Sequence, residues 1–257
     1  MLLAIDIGNT HTVIGLLEGH ELRARWRVTS DAQKTADEFG ILVRELCSQS
    51  GIDLGSITDV VVSSVVPAMT AAFVEMAEGL TGGEPLVITP DLDVGIVFDH
   101  RDPSEVGADR IANAAAAHEM FDGPVVVVDF GTATTFDVVT ADGHHAGGAI
   151  APGLITAAET LFRKAALLHR VGLDPPPSVI GRSTSEALRS GIIYGAAGQV
   201  DEIVRRIGEE LGAAPTIVAT GGLAPKVALF SRTINVVEPD LTLYGLSLLH
   251  RRLRGEG

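Results

Sequence analysis

Apolar residues come in short unbroken runs and in helix-spaced stripes, and the two patterns alternate along the whole chain. Leu2–Ile7 and Val13–Leu17 are apolar runs around a polar turn, which predicts a strand pair. Thr35–Cys47 carries helical spacing, with Thr35 and Glu38 at the separation of a capping box. Asp59–Val66 is an aliphatic strand ended by Pro67, and Leu86–Thr89 is another. Ala-rich Ala108–Phe121 predicts a helix. A second group of strands follows at Pro124–Asp129, Thr134–Thr140 and a short piece near Ala149. Helices over Leu154–His169 and Ser185–Leu211, a strand at Thr216–Ala219 and a closing helix near Leu241–Arg254 complete the pattern. Val171–Gly181, with Pro175, Pro176 and Pro177, reads as a surface loop. Aliphatic strands alternating with helices indicate an α/β fold with sheets covered on both faces.

One unit of this pattern occurs twice. Ile5-Asp6-Ile7-Gly8-Asn9-Thr10-His11-Thr12-Val13 returns as Val128-Asp129-Phe130-Gly131-Thr132-Ala133-Thr134-Thr135-Phe136, with Asp, Gly and the last Thr matched at one constant offset. Polar residues match in place here, so more than an apolar rhythm is shared. Two such strand–turn–strand units predict a duplicated two-domain fold, residues 1–118 and 119–257, with a cleft between the halves.

Composition narrows the class. Hydrophobic residues make up 46% of the 257 and aromatics only 4%, so the core is expected to be Val, Ile, Leu and Ala. The single cysteine, Cys47, excludes a disulfide within the chain and fits a reducing compartment. Asp6 interrupts the apolar start, and no stretch approaches the roughly 20 apolar residues that span a bilayer. A net charge of −14 argues against nucleic acid as a partner. A soluble cytoplasmic protein, without membrane or nucleic-acid partners, is expected.

Several chemistries fall away. His100-Arg101-Asp102 and Asp129-Phe130-Gly131 spell two protein-kinase tripeptides, but Gly107 stands where the catalytic-loop Asn belongs, and no G-x-G-x-x-G loop exists. No Gly-Lys pair exists for a Walker loop, and the dinucleotide fingerprint is missing. One cysteine rules out cysteine-based metal sites. His144 and His145, beside Gly143, read as a solvated hairpin tip rather than as ligands.

What remains is Asp6-Ile7-Gly8-Asn9-Thr10. A glycine turn after a strand exposes successive backbone N–H groups that can cradle phosphate oxygens. Thr10 and Thr12 add hydroxyls, and Asp6 can hold Mg²⁺ directly or through water. The plain alternative is a hairpin in which Asp6 and Asn9 satisfy the turn. With its repeat at Asp129–Thr135, the motif resembles the paired phosphate loops of the actin-like ATPase and sugar kinase superfamily, whose fold is a duplicated actin-like (ribonuclease H-like) α/β fold.

A third element, Asp102 to Arg110, enters the helix at Ile111. Read alone, Asp109 and Arg110 are exposed first-turn charges. The order Asp-Ile-Gly-Asn-Thr, Gly107-Ala108-Asp109-Arg110 and Asp129-Phe130-Gly131-Thr132-Ala133-Thr134-Thr135 resembles the type III pantothenate kinase family. So do Ser64-Val65-Val66-Pro67, Gly147 to Gly153, Gly181-Arg182-Ser183-Thr184, Thr220-Gly221-Gly222 and Asp240-Leu241-Thr242-Leu243. The resemblance covers the whole chain. It implies transfer of the γ-phosphate of ATP to pantothenate, the first step towards coenzyme A. It makes Asp6, Ile7, Gly8, Asn9, Thr10, His11, Thr12 and Val13 the first ATP loop and Thr132 a second ATP contact. It makes Asp109 the general base, within a substrate site of Gly107, Ala108, Asp109, Arg110 and Thr184. Asp129 is implied to bind the monovalent cation, K⁺ or NH₄⁺, that acts beside Mg²⁺. His100 stands where many members carry a substrate-contacting Tyr. Thr184 has a second reading as part of a helix cap, with Ser183 and Glu186 at capping-box spacing.

The resemblance also implies a homodimer. Gly191, Gly195 and Gly198 lie on one face of a long helix and suit close helix packing, within the fold or between copies. Two rivals stand beside this reading: a sugar or acid kinase of the same superfamily, and a non-catalytic ATP-binding regulator. Intact Asp6, Asp109 and Asp129 speak against the second.

Overall fold

The computed structural model describes residues 1–164 and 170–255. Contacts divide the chain into two units. One comprises Met1–Ile96, Arg101–Ala116 and the chain from Leu241 onward, the other Val97–His100 and Ala117–Asp240. The closing helix therefore groups with the first unit, whereas the sequence reading placed it in the second half.

The sheet of the first unit holds β1 (Leu2–Ile7), β2 (His11–Glu18), β3 (Glu21–Thr29), β4 (Asp59–Ser64) and β5 (Leu86–Val87), in the order β3-β2-β1-β4-β5. β1, β2 and β3 run antiparallel, while β4 pairs parallel to β1 and to β5. β3 is an element that the sequence reading omitted. Its signal is the alternation of Leu22, Ala24, Trp26 and Val28 with Arg23, Arg25 and Arg27, a strand with one face on the core. Two helices cover one face of this sheet, α1 (Ala36–Gln49) and α2 (Pro67–Thr81). The capping box of α1 is present as expected, with Thr35 and Glu38 reciprocally bonded. α2 was also omitted. Pro67, read as the end of a strand, is the first residue of this helix, where its missing N–H costs nothing.

Burial follows the pleat. Leu3, Ile5, Ile7, Ile14 and Leu16 face α1 and α2, where Phe39 and Phe73 stack with ring centroids 4.1 Å apart. Small residues face the other way. Ala4 pairs with Gly15, and a Cβ on Gly15 would stand 2.7 Å from Leu243 of α7 (Leu241–Arg254). α7 also crosses the start of α3 (Ala108–Met120), where a Cβ on Gly245 would meet the Ala112 carbonyl oxygen at 2.0 Å. The Thr242 hydroxyl donates to Asn113 Oδ1 there at 2.8 Å.

The second unit repeats the first. β7 (Val125–Phe130), β8 (Ala133–Val139), β9 (His144–Pro152), β10 (Thr216–Thr220) and β11 (Val236–Val237) lie in the order β11-β10-β7-β8-β9, with the same parallel and antiparallel pairings. A two-residue strand, β6 (Val97–Phe98), is added beside β9 and has no counterpart in the first sheet. Helices α4 (Leu154–Lys164), α5 (Thr184–Leu211) and α6 (Ala224–Ala228) complete the unit. The last five residues of the helix expected over Leu154–His169 lie outside the described residues. Val126, Val128, Phe136, Ile193, Ala197 and Val200 are among the core residues between sheet and helices.

The repeat differs in one respect from its reading in sequence. Asp6 pairs with Val13 and Ile7 with Thr12, leaving the four residues 8–11 in the turn. Asp129 pairs with Thr135 and Phe130 with Thr134, leaving the three residues 131–133. Thr134, not Thr135, is therefore the ladder equivalent of Thr12. Burial agrees, with Thr12 at 0% and Thr134 at 3% exposure. A register moved by one residue turns a side chain to the opposite face, so the constant offset read from sequence misplaces Thr135.

Candidate functional site

In the first unit the candidates gather at the carboxyl ends of the parallel strands β1 and β4, where α/β sheets take their ligands. Asp6 is half-buried and level with Ser63, whose hydroxyl donates to Asp6 Oδ1 at 2.9 Å. Beyond it the turn is braced from β3. The Ser30 hydroxyl donates to the Gly8 carbonyl at 2.6 Å and lies 3.0 Å from the Thr12 hydroxyl, and the Ser30 N–H bonds the Thr10 carbonyl. Thr12 is thus a buried brace, not an exposed phosphate donor. Asn9, Thr10 and His11 are exposed at the tip. Val13 lies back in the ladder opposite Asp6.

Val65, just past β4, meets the entrance of α3: its Cγ1 would be 3.3 Å from a Cβ on Gly107. The Asp109 carboxylate is closer still, with Oδ1 2.5 Å from that same point, so only glycine leaves it room. The Arg110 N–H donates to Asp109 Oδ1 at 2.9 Å, and both side chains are half-buried while Ala108 is buried. The approach to this helix is fixed by Asp102. Hydrogen bonds from the Ser104 hydroxyl, then from its N–H, hold the Asp102 carboxyl below its usual range. Cys47 lies in the core of this unit, and burial pushes its thiol up, which suits packing rather than reaction.

In the second unit Asp129 is the penultimate residue of β7, level with Thr135 on one side and Thr220 on the other. Gly221 follows Thr220 with φ +88°, and a Cβ there would stand 2.5 Å from Asp129 Oδ1. Thr132 is exposed in the turn, its carbonyl accepting from the Thr156 hydroxyl at 2.9 Å. Gly153 comes so near that a Cβ would be 2.2 Å from that oxygen. Thr184 is the exposed first residue of α5, and Ser183 is its cap, accepting from the Glu186 N–H at 3.2 Å.

His100 lies two residues past β6. Its Nε2 is 2.7 Å from His145 Nδ1, and His145 Nε2 is 2.9 Å from Asp137 Oδ1. The expectation that His144 and His145 form a solvated hairpin tip is corrected here. His144 pairs with Asp99 at 3.1 Å near the surface, but His145 is wholly buried because β6 covers this end of β9. Sequence reasoning missed Asp137, His145, Ser30 and Ser63. Asp137 had a signal, a carboxylate between Phe136 and Val138 in a stretch that otherwise reads as a buried strand.

Among the described residues no three His, Cys, Asp or Glu gather as a metal cage. The oxygens at Asp6 and Ser63 suit a hard cation that keeps most of its other ligands from water or phosphate. No helix among the described residues is long and apolar enough to cross a membrane.

Two copies of one sheet, each with an Asp-x-Gly turn at the end of its leading strand, place the molecule among proteins of the actin-like ATPase fold. ROK hexokinase from Thermus thermophilus superposes with a TM-score of 0.53 at 14% identity, over 100% of this chain and 99% of that one. The ethanolamine utilization protein EutJ from Carboxydothermus hydrogenoformans gives 0.54 at 17%, over 96% and 89%. At such identities the likeness is one of fold. Sequence carries the rest: a family model described as type III pantothenate kinase matches residues 2–206. The type III pantothenate kinase of Moorella thermoacetica is 48% identical over 252 residues, 98% of this chain and 99% of the relative. This chain belongs to the type III pantothenate kinase family.

Proposed function

We propose that the chain transfers the γ-phosphate of ATP to the primary hydroxyl of pantothenate, giving 4′-phosphopantothenate in coenzyme A biosynthesis. The observation that carries this is the full-length match to a type III pantothenate kinase, in a chain that has Asp6, Asp109 and Asp129 at the positions of the family-like motifs. The turn at residues 8–11, braced by Ser30, presents backbone N–H groups to the phosphates, and Thr132 adds a contact from the other loop. Asp109, fixed by its own helix entrance, accepts the hydroxyl proton as the oxygen attacks in line. Gly107, Ala108, Arg110, Thr184 and His100 shape the pantothenate site. Asp6 with the phosphate oxygens would hold Mg²⁺ and Asp129 a monovalent cation, together supplying positive charge near the transferring group.

We also read the protein as a cytoplasmic homodimer. In the structure Gly191, Gly195 and Gly198 are exposed, and an added Cβ at each meets nothing described within 4 Å. Among the described residues, therefore, none packs directly on this glycine face of α5. Beside it, α4 and α5 border an apolar groove of about 400 Å³. Such a face suits a second copy.

The test of activity is direct. Purified protein with ATP, Mg²⁺ and K⁺ should convert pantothenate to a product 80 Da heavier, roughly the mass of one phosphoryl group transferred. Turnover of glycerol, acetate or hexoses with none of pantothenate would overturn the reading.

A further inference from the structure

Arg27 stands in one row with Asp6. Asp6 pairs with Val13 and Val13 with Arg27, so the three side chains lie side by side on one face of the first sheet. The opposite face is the packed one, where Ile5, Ile7, Ile14, Trp26 and Val28 turn towards α1 and α2. Thr12 and Ser30 belong to that packed face by the same alternation, and from there Ser30 takes hold of the Gly8 carbonyl. The brace therefore reaches the turn at residues 8–11 from the packed face, while Asp6 and Arg27 rise from the other.

Arg27 is exposed, and among the described residues nothing pairs with its guanidinium. Arg23, on the same strand, is by contrast held by Glu18 at 3.2 Å and by Glu21 at 2.8 Å. β3 is an edge strand, and charge on an edge keeps other strands from pairing with it. That duty is met anywhere along the strand and requires no particular row. The place of Arg27 relative to the turn is also fixed. β3 pairs with β2 as far as Thr29, opposite His11, and Ser30 then bonds the carbonyls of both Gly8 and Thr10. Two strand spacings, roughly 10 Å, separate the backbone at Arg27 from that at Asp6. A guanidinium on its three-carbon stem spans much of such a gap and stays in water while doing so. In a chain of net charge −14, an unneutralised cation beside the loop offsets the repulsion that a polyanion meets there.

We propose that Arg27 is a binding residue for ATP, its N–H groups donating to oxygens of the terminal phosphates from the β3 side of the turn. The inference rests on the reading that residues 8–11 hold those phosphates. The turn supplies neutral amides and Asp6 a negative charge, so Arg27 is the cation that the first unit contributes from this face. A planar fork of donors suits phosphate oxygens, and its weak hydration makes it cheap to bring against them.

Titrations of the full-length protein with Mg²⁺ present test this. Arg27→Gln should weaken ATP binding roughly 10-fold, the loss of one hydrogen-bonded charge contact at an exposed place. Competition by adenosine, which has no phosphate, should be as strong against the variant as against the wild type. The pantothenate KM and the melting temperature should stay where they are. Arg27→Lys, which keeps the charge without the fork, should regain part of the ATP affinity. Unchanged ATP affinity in Arg27→Gln, or a lysine variant as weak as the glutamine one, would overturn the proposal. An equal loss for adenosine and ATP would make the residue structural and sink it too. Asp6→Asn separates the proposal from the reading beneath it. If Asp6→Asn weakens ATP binding and Arg27→Gln does not, the loop reading stands and Arg27 alone is discarded. If neither variant changes it, the loop reading fails and the proposal falls with it.

Discussion

Gly221 and Asp129 are so close that a methyl group on Gly221 would stand 2.5 Å from Asp129 Oδ1 and 2.8 Å from the Phe130 carbonyl oxygen. Gly221 also has φ +88°, a conformation that costs an L-residue about 1–2 kcal/mol. Gly221→Ala must therefore move either strand end or the carboxylate. With Asp129 displaced by about 1 Å, kcat should fall about 10²-fold. The fold should survive, since the clash lies at a strand terminus. Steady-state kinetics beside a thermal melt separates these effects, and wild-type kcat in the variant would mean that the position of Asp129 is immaterial.

Replacing K⁺ by Na⁺ should depress the rate strongly if Asp129 serves a monovalent cation. Asp129→Ala should then lose both most of the activity and its K⁺ dependence. Initial rates in the two chloride salts at matched ionic strength decide the matter; equal rates would remove the cation role.

Asp109→Asn keeps the size of the side chain and its place against Gly107 while removing the proton acceptor. A general base contributes about 10²–10⁴-fold, so kcat should drop by roughly that factor. ATP affinity, followed by titration calorimetry, should hardly change. A variant with near wild-type kcat would leave Asp109 as a helix-entrance charge alone.

Sedimentation should show a homodimer at micromolar concentration. Leucine substituted at Gly195, whose Cβ position meets no described residue within 4 Å, should weaken assembly without unfolding the protomer. An active monomer in the unmodified protein would contradict the assignment of the α5 face.

Phe73 is wholly buried and stacked on Phe39 in the first core. Phe73→Ala removes that stack and leaves a cavity, at a cost of about 3–5 kcal/mol. Urea unfolding should register the loss in the transition of the first unit.

Long aliphatic strands and capped helices were legible in the sequence because their signals are local. Val125–Val128 can be little else than a buried strand, and Thr35 with Glu38 marks a helix start from four residues. β3 was missed although its alternation is regular, because three arginines hide a strand with only one face on the core. α2 was missed because Pro67 ends one element and begins another. The duplication was visible in Asp6 and Asp129, but the register of Thr135 was not, since only ladder partners reveal a residue lost inside a turn. Within the candidate site, motif residues stood out by type. The supporting contacts, Ser30 to Gly8 or His145 to Asp137, join distant stretches and leave no mark on local sequence. His145 was misread for this reason: nothing near it tells that Val97 and Phe98 will cover it.

The shorter second turn has a further meaning. An exact duplicate would offer the same loop twice. The turn at 131–133 is one residue shorter than the turn at 8–11, so both ladders and both buried threonines correspond, yet the two loops have a different number of amides. A difference of one residue, at the turn between two otherwise matching ladders, is enough to make the two loops unequal. It leaves Asp6 and Asp129, which hold the same place in their two sheets, before turns of different length and shape.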